Sequence, residues 1–173
     1  MNKYQMSIEL LNKAVGLEIA TSMQYMYFHI HCEDMGYKYL AKMFRQTSIQ
    51  EMRHIEEFSE RILYLQGDVD FNVPFRIEHI QDVEQMLSLA IRLEEQTIDD
   101  YNAWARACSE ASDAATHHLF EEVIAEEEGH LDHFRTEFDN LKAYGMNYLA
   151  LQSIAQSKSA TDAGMSDWEK DEE

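Results

Sequence analysis

The chain has 173 residues, 45% of them apolar, and a formal net charge of -19. That length suits one domain with a true hydrophobic core, and the apolar content excludes a disordered chain. A surface this acidic repels phosphate backbones and anionic membranes, which argues against nucleic acid and membrane as partners, and it attracts cations.

One proline and six glycines leave few interruptions for long helices, so the expected class is all-α. From Met1 to Ala20 there is neither an uninterrupted apolar run nor a small-residue cleavage site. No segment reaches the ~18 apolar residues of a membrane span. The expectation is therefore a soluble protein of the cytoplasm.

The first helix is expected from about Tyr4 to Glu33, turning at Asp34-Met35-Gly36, and the second from about Tyr37 to Gln66, with Gly67 as its cap. The segment from Gly67 to Gln81 holds the only proline, Pro74. About 15 residues at ~3.3 Å each can cover the ~45 Å of a 30-residue helix. The segment can thus cross the whole bundle and leave helices two and three parallel. Asp82 with Gln85 three residues on resembles a capping box and opens helix three. That helix ends near Glu110, and Asp113 caps helix four, which stops before Gly145. Met146 to Gln156 reads as a short fifth helix, so the folded domain is taken as 1–156. Residues 157–173 form an acidic tail.

The helices are two copies of one hairpin. At an offset of 76, Leu11, Ala14, Glu18, Thr21, Tyr25, Phe28 and Cys32 fall on Leu87, Ala90, Glu94, Thr97, Tyr101, Trp104 and Cys108. Likewise Phe44, Thr47, Glu51, His54, Phe58 and Leu65 fall on Phe120, Val123, Glu127, His130, Phe134 and Leu141. The steps are mostly three and four, the spacing of one inward stripe on a helix. Cys32 and Cys108 each lie 14 residues from their stripe glutamates, about 20 Å along the axis. In antiparallel helices that places them toward opposite ends, so they cannot pair within one chain, nor do they make a zinc framework.

Glu18, Glu51, Glu94 and Glu127 stand where an inward stripe calls for leucine, and His54 and His130 follow two of them at i+3. A single Glu-x-x-His is weak evidence, since 21 glutamates and eight histidines produce about one by chance. Two at the repeat offset, each on an inward stripe beside Phe, Leu, Tyr and Trp, are not surface groups. Four unpaired buried carboxylates would cost several kcal/mol per ion, and no lysine or arginine lies near the middle of the stripes. Two divalent cations would cancel the four charges, with the imidazoles completing the shell. Carboxylate and imidazole without thiolate suit iron or manganese over copper or structural zinc. One Glu from each of two helices, plus Glu-x-x-His from the other two, is the ligand set of di-iron carboxylate bundles.

Over roughly 150 residues, and most specifically at Gln50-Glu51-Met52-Arg53-His54 and Glu126-Glu127-Glu128-Gly129-His130, the chain resembles the bacterioferritins. The resemblance implies a ferritin-like four-helix bundle with a long crossover between helices two and three and a short fifth helix. It implies an iron-storage ferroxidase with Glu18, Glu51, His54, Glu94, Glu127 and His130 as ligands of two iron ions, and Tyr25 beside them. By the same resemblance, Glu18 and Glu94 are terminal, Glu51 and Glu127 bridge, and the substrates are Fe(II) with O2 or H2O2. The family also implies a homo-oligomeric shell of 24 subunits storing ferric mineral. The resemblance further implies a b-type or related haem shared between two subunits through Met52, with a ferredoxin-type reductant supplying electrons to release iron.

Met52 lies one ~100° turn from Glu51, off the core stripe, and a thioether is a good axial ligand for haem iron. Ile19, Met23, Met26 and Ile49 are candidate pocket residues, and Arg45 a candidate partner for a propionate. The chain departs from some family members at Gln46 and Gln50, where those carry a histidine and an acid for a further inner-surface iron, and at His133, where a tryptophan is frequent. Two other readings stay open: a twelve-subunit Dps-like ferroxidase acting on peroxide without haem, and a non-enzymatic interaction bundle. The second requires all six ligands to lie on the surface.

Overall fold

A computed structural model of the protein describes residues 2–155. The expected tail, 157–173, and the last residue of the expected fifth helix, Gln156, lie outside those residues. The helices are α1 (Gln5–Asp34), α2 (Lys38–Tyr64), α3 (Val83–Glu110) and α4 (Ala114–Tyr144). A fifth, α5, covers residues 146–155. No described helix is long and apolar enough to cross a membrane.

Each hairpin closes the same way. Gly36 (φ 81°) follows α1 in the left-handed region, and the Tyr37 and Gly36 N–H groups donate back to Cys32 and Glu33. Ser112 (φ 58°) does this after α3, with Asp113 and Ser112 donating to Cys108 and Ser109. These are Schellman closures. The end of α2 is a third, and it corrects the expected cap: the left-handed residue is Gln66 (φ 62°), one position before Gly67. Gly67 is needed for room instead, since a Cβ there would stand 2.7 Å from Ile8 Cγ2. At the starts, the Gln85 N–H donates to Asp82 Oδ1 at 2.9 Å and the Thr116 N–H to Asp113 Oδ1 at 3.3 Å. Both satisfy donors that a helix N-terminus otherwise leaves free.

The crossover runs the length of α1. Asn12 donates to the Asp68 carbonyl and accepts from the Asp70 N–H. Gln24 does both to Glu78, at 3.0 and 2.6 Å. His79 then packs against Tyr27, the rings tilted by 43° with centroids 5.2 Å apart. Midway the strap lies so close that a Cβ on Gly16 would meet the Asn72 carbonyl oxygen at 2.4 Å. Helices two and three are parallel, as the reach of the segment implied.

Within the first hairpin, Ser22 and Ser48 fix the register. Each hydroxyl donates to the other's carbonyl, at 3.0 and 2.9 Å. Arg61, near the end of α2, ties to Asp113 and Thr116 at the start of α4, at 2.7 and 2.9 Å.

The stripe residues are buried, Trp104 excepted, which is half-buried. They form two apolar clusters, one around Tyr25, Phe28, Phe44 and Phe134, the other around Leu11, Phe58, Tyr101 and Phe120. Cys32 belongs to the first and Cys108 to the second, and both are free. Between the clusters lies the polar layer that holds the site.

Candidate dinuclear metal centre

One turn of each long helix contributes to the layer: Glu18 from α1, Glu51 and His54 from α2, Glu94 from α3, Glu127 and His130 from α4. All six are at most 4% exposed. Their ligand atoms converge as two groups, one of Glu18, Glu51, His54 and Glu127, the other of Glu94, Glu51, His130 and Glu127. In each group the atoms lie within 4.8 Å of one another, and Glu51 and Glu127 belong to both. The surface placement that an interaction bundle requires is thereby excluded.

Both imidazoles turn Nδ1 inward. His54 Nδ1 lies 3.0 Å from Glu51 Oε2, 3.0 Å from Glu127 Oε1 and 3.9 Å from Glu18 Oε1. His130 Nδ1 lies 3.0 Å from Glu127 Oε2, 3.2 Å from Glu51 Oε1 and 4.0 Å from Glu94 Oε2. One Nδ1 proton cannot satisfy three carboxylates. Accordingly the buried Oε1 atoms of Glu51 and Glu127 face an Nδ1 they must share with other carboxylates and have no hydrogen bond of good geometry. An orphaned buried carboxylate oxygen costs free energy unless a cation meets it, so these two shared residues fit a pair of metal ions.

The electrostatics say the same. Burial, then the charges of Glu127 and Glu51, hold the Glu18 and Glu94 carboxyls well above the usual carboxylate range. Burial opposes the charging of the histidines too, but hydrogen bonds to Glu127 first, then to neighbouring carboxylates, push both up, His130 to about 10. Glu127 itself is lowered, because the hydrogen bonds from His130 and His54 outweigh its burial. The pocket draws in positive charge, and two divalent ions supply it more completely than protons.

The outer contacts repeat the offset of 76. Tyr25 donates its hydroxyl to Glu94 Oε1 and Tyr101 donates to Glu18 Oε1, each crossing to the other hairpin. Burial, then the carboxylate it serves, raises each phenol. Sequence reasoning singled out Tyr25 and passed over Tyr101, although the repeat pairs the two. The outer nitrogens are also engaged: His54 Nε2 with Glu126 Oε2 at 3.3 Å and His130 Nε2 with Gln50 Oε1 at 3.2 Å. Gln50 and Glu126 form another pair at that offset, and neither was expected to touch the centre.

Met52 lies off this layer and is 40% exposed. The Ser22–Ser48 register puts it level with Glu18, one residue before Ile19. Met23 is exposed nearby on α1, while Ile19, Met26 and Ile49 are half-buried and Arg45 is exposed. Gln46 and His133 are both exposed.

Residues 8–144 match the family model of the ferritin-like domain. The chain is similar to the bacterioferritin of Desulfovibrio desulfuricans, 36% identical over 89% of this chain and 85% of the relative. It is also similar to the bacterioferritin of Brucella melitensis, 32% identical over 80% and 86%. The solved X-ray structure of the Desulfovibrio desulfuricans bacterioferritin, whose diiron site was captured in different catalytic states, superposes with a TM-score of 0.84. It is 34% identical and covers 88% of this chain and 91% of that one.

Proposed function

The chain belongs to the bacterioferritin family of ferritin-like proteins, and from that membership we propose an iron-storage ferroxidase in which these six residues hold two iron ions. The observation that carries the ligand assignment is the sharing of Glu51 and Glu127 between two otherwise separate Glu–His groups. Those two would bridge, Glu18 and Glu94 would be terminal, and His54 and His130 would each give Nδ1 to one ion.

Iron supplies the redox chemistry: each Fe(II) yields one electron, and a pair yields the two that reduce O2 to peroxide, or peroxide to water. The protein's own groups set the direction. Four hard anionic oxygen ligands stabilise Fe(III) over Fe(II). Tyr25 and Tyr101 hold Glu94 and Glu18 in orientation across the bundle. The aromatic clusters on either side, with Phe58–Phe120 centroids at 5.3 Å and Tyr25–Phe134 at 5.2 Å, keep the carboxylates in a medium of low polarity.

The family makes the protein a homo-oligomer with iron as its substrate, and we assign it a hollow shell of 24 subunits in the cytoplasm. At 20.3 kDa per chain, that is about 490 kDa in closed symmetry. A mass of about 240 kDa would mean the twelve-subunit peroxide-consuming form. We further assign Met52 as the axial ligand of a haem shared by two subunits, supported by its exposed thioether beside an apolar strip. That haem would pass electrons inward from a ferredoxin-type reductant to mobilise stored iron. The ligand set is tested by Glu94→Ala, which is expected to abolish rapid Fe(II) oxidation in a folded helical protein. Unchanged kinetics would remove the assignment.

A further inference from the structure

The two halves of the centre match in their six ligands and two tyrosines, but not in what holds the ligand histidines from behind. With Nδ1 given to a metal ion, each neutral ring would carry its proton on Nε2 and donate it outward. His54 donates to a carboxylate, Glu126 Oε2, at 3.3 Å. His130 donates to a neutral amide, Gln50 Oε1, at 3.2 Å. The repeat makes these two acceptors counterparts, so a carboxylate stands behind one ring and a neutral amide behind the other. An anionic acceptor pushes electron density into the imidazole and strengthens Nδ1 as a donor, and such outer partners typically change metal affinity by about 10–100-fold. Glu126 is 48% exposed, so solvent screens part of its charge, and about tenfold is the expected size.

We propose that Gln50 and Glu126 are positioning residues that make the two metal positions unequal, the Glu18–His54 position filling before the Glu94–His130 position. The inference rests on the dinuclear reading above. It means that the concentration of Fe(II) at which paired oxidation begins is set by the weaker, Gln50-backed position.

The test is to load the full chain, as its natural oligomer, with one equivalent of Co(II) per subunit and to measure anomalous diffraction at the cobalt edge. Where filling one position leaves the other's affinity unchanged, one equivalent divides as the square root of the affinity ratio, so tenfold in affinity reads as about threefold in peak height. Wild type is expected to show that excess at Glu18–His54. Glu126→Gln should bring the peaks to equality. The double variant Gln50→Glu/Glu126→Gln, which keeps an acceptor behind each ring and moves only the charge, should invert them. Acceptors that merely orient the rings would leave the preference unmoved in the double variant. That outcome, or equal peaks in wild type, overturns the inference while leaving the dinuclear site intact. Cobalt at neither position overturns both.

Discussion

Removing one hydroxyl from either buried tyrosine weakens the metal position on the opposite hairpin. Tyr25 and Tyr101 are fully buried, and the carboxylates they serve, Glu94 and Glu18, are 1% and 2% exposed. Water cannot replace a hydroxyl lost there. A hydrogen bond to a charged group contributes about 1.5–3 kcal/mol, and 1.4 kcal/mol is tenfold in a binding constant, so each variant should lose about 10–100-fold in affinity at one position. Phenylalanine keeps the ring contacts, such as Tyr25 with Phe134 at 5.2 Å and Tyr101 with Phe58 at 5.6 Å, so the fold should survive. Calorimetric titration of metal-free Tyr25→Phe and Tyr101→Phe with Co(II), with circular dichroism as a control, reads the effect. The loss should be similar in the two variants, because the contacts are related by the repeat. A variant that binds both equivalents like wild type refutes the account of that tyrosine, and a loss in only one refutes the equivalence.

Replacing Met52 with leucine should abolish the Soret band of the purified protein and leave Fe(II) oxidation intact; a surviving Soret band points to another ligand. Burial pushes the Cys32 thiol up to about 12, and only the thiolate is alkylated. Iodoacetamide should therefore leave Cys32 unmodified in the folded protein at pH 8, where the neutral thiol dominates, and modify it rapidly after denaturation, where the value returns to about 8.5. Rapid labelling of the native protein at pH 8 would contradict the burial.

Most of the site was legible because the sequence is written twice. Glu18, Glu51, Glu94 and Glu127 were visible as charges on stripes of Phe, Leu and Tyr, and the offset made two Glu-x-x-His occurrences into one constellation. The crossover was legible too, since the reach of a 15-residue segment is a matter of chain length. What the sequence hid depended on contacts between helices. Gln50 and Glu126 opened the two motif stretches with no role at the centre, and their contacts with His130 and His54 cross between α2 and α4. Tyr101 was on the page as the counterpart of Tyr25, yet its bond to Glu18 crosses from α3 to α1 and needs the register of the bundle. The α2 closure was misplaced by one residue because Gly67 is glycine for a packing reason, Ile8 lying where its Cβ would be, while Gln66 takes the left-handed turn.

The central claim is that six residues from four helices hold two iron ions in one subunit, and the stoichiometry of the fast reaction tests it most directly. Fe(II) added stepwise to metal-free protein under air should be oxidised in a rapid phase that saturates at two ions per subunit, one for each of the groups that share Glu51 and Glu127. Saturation at one ion per subunit, or the absence of any saturable rapid phase, would contradict it.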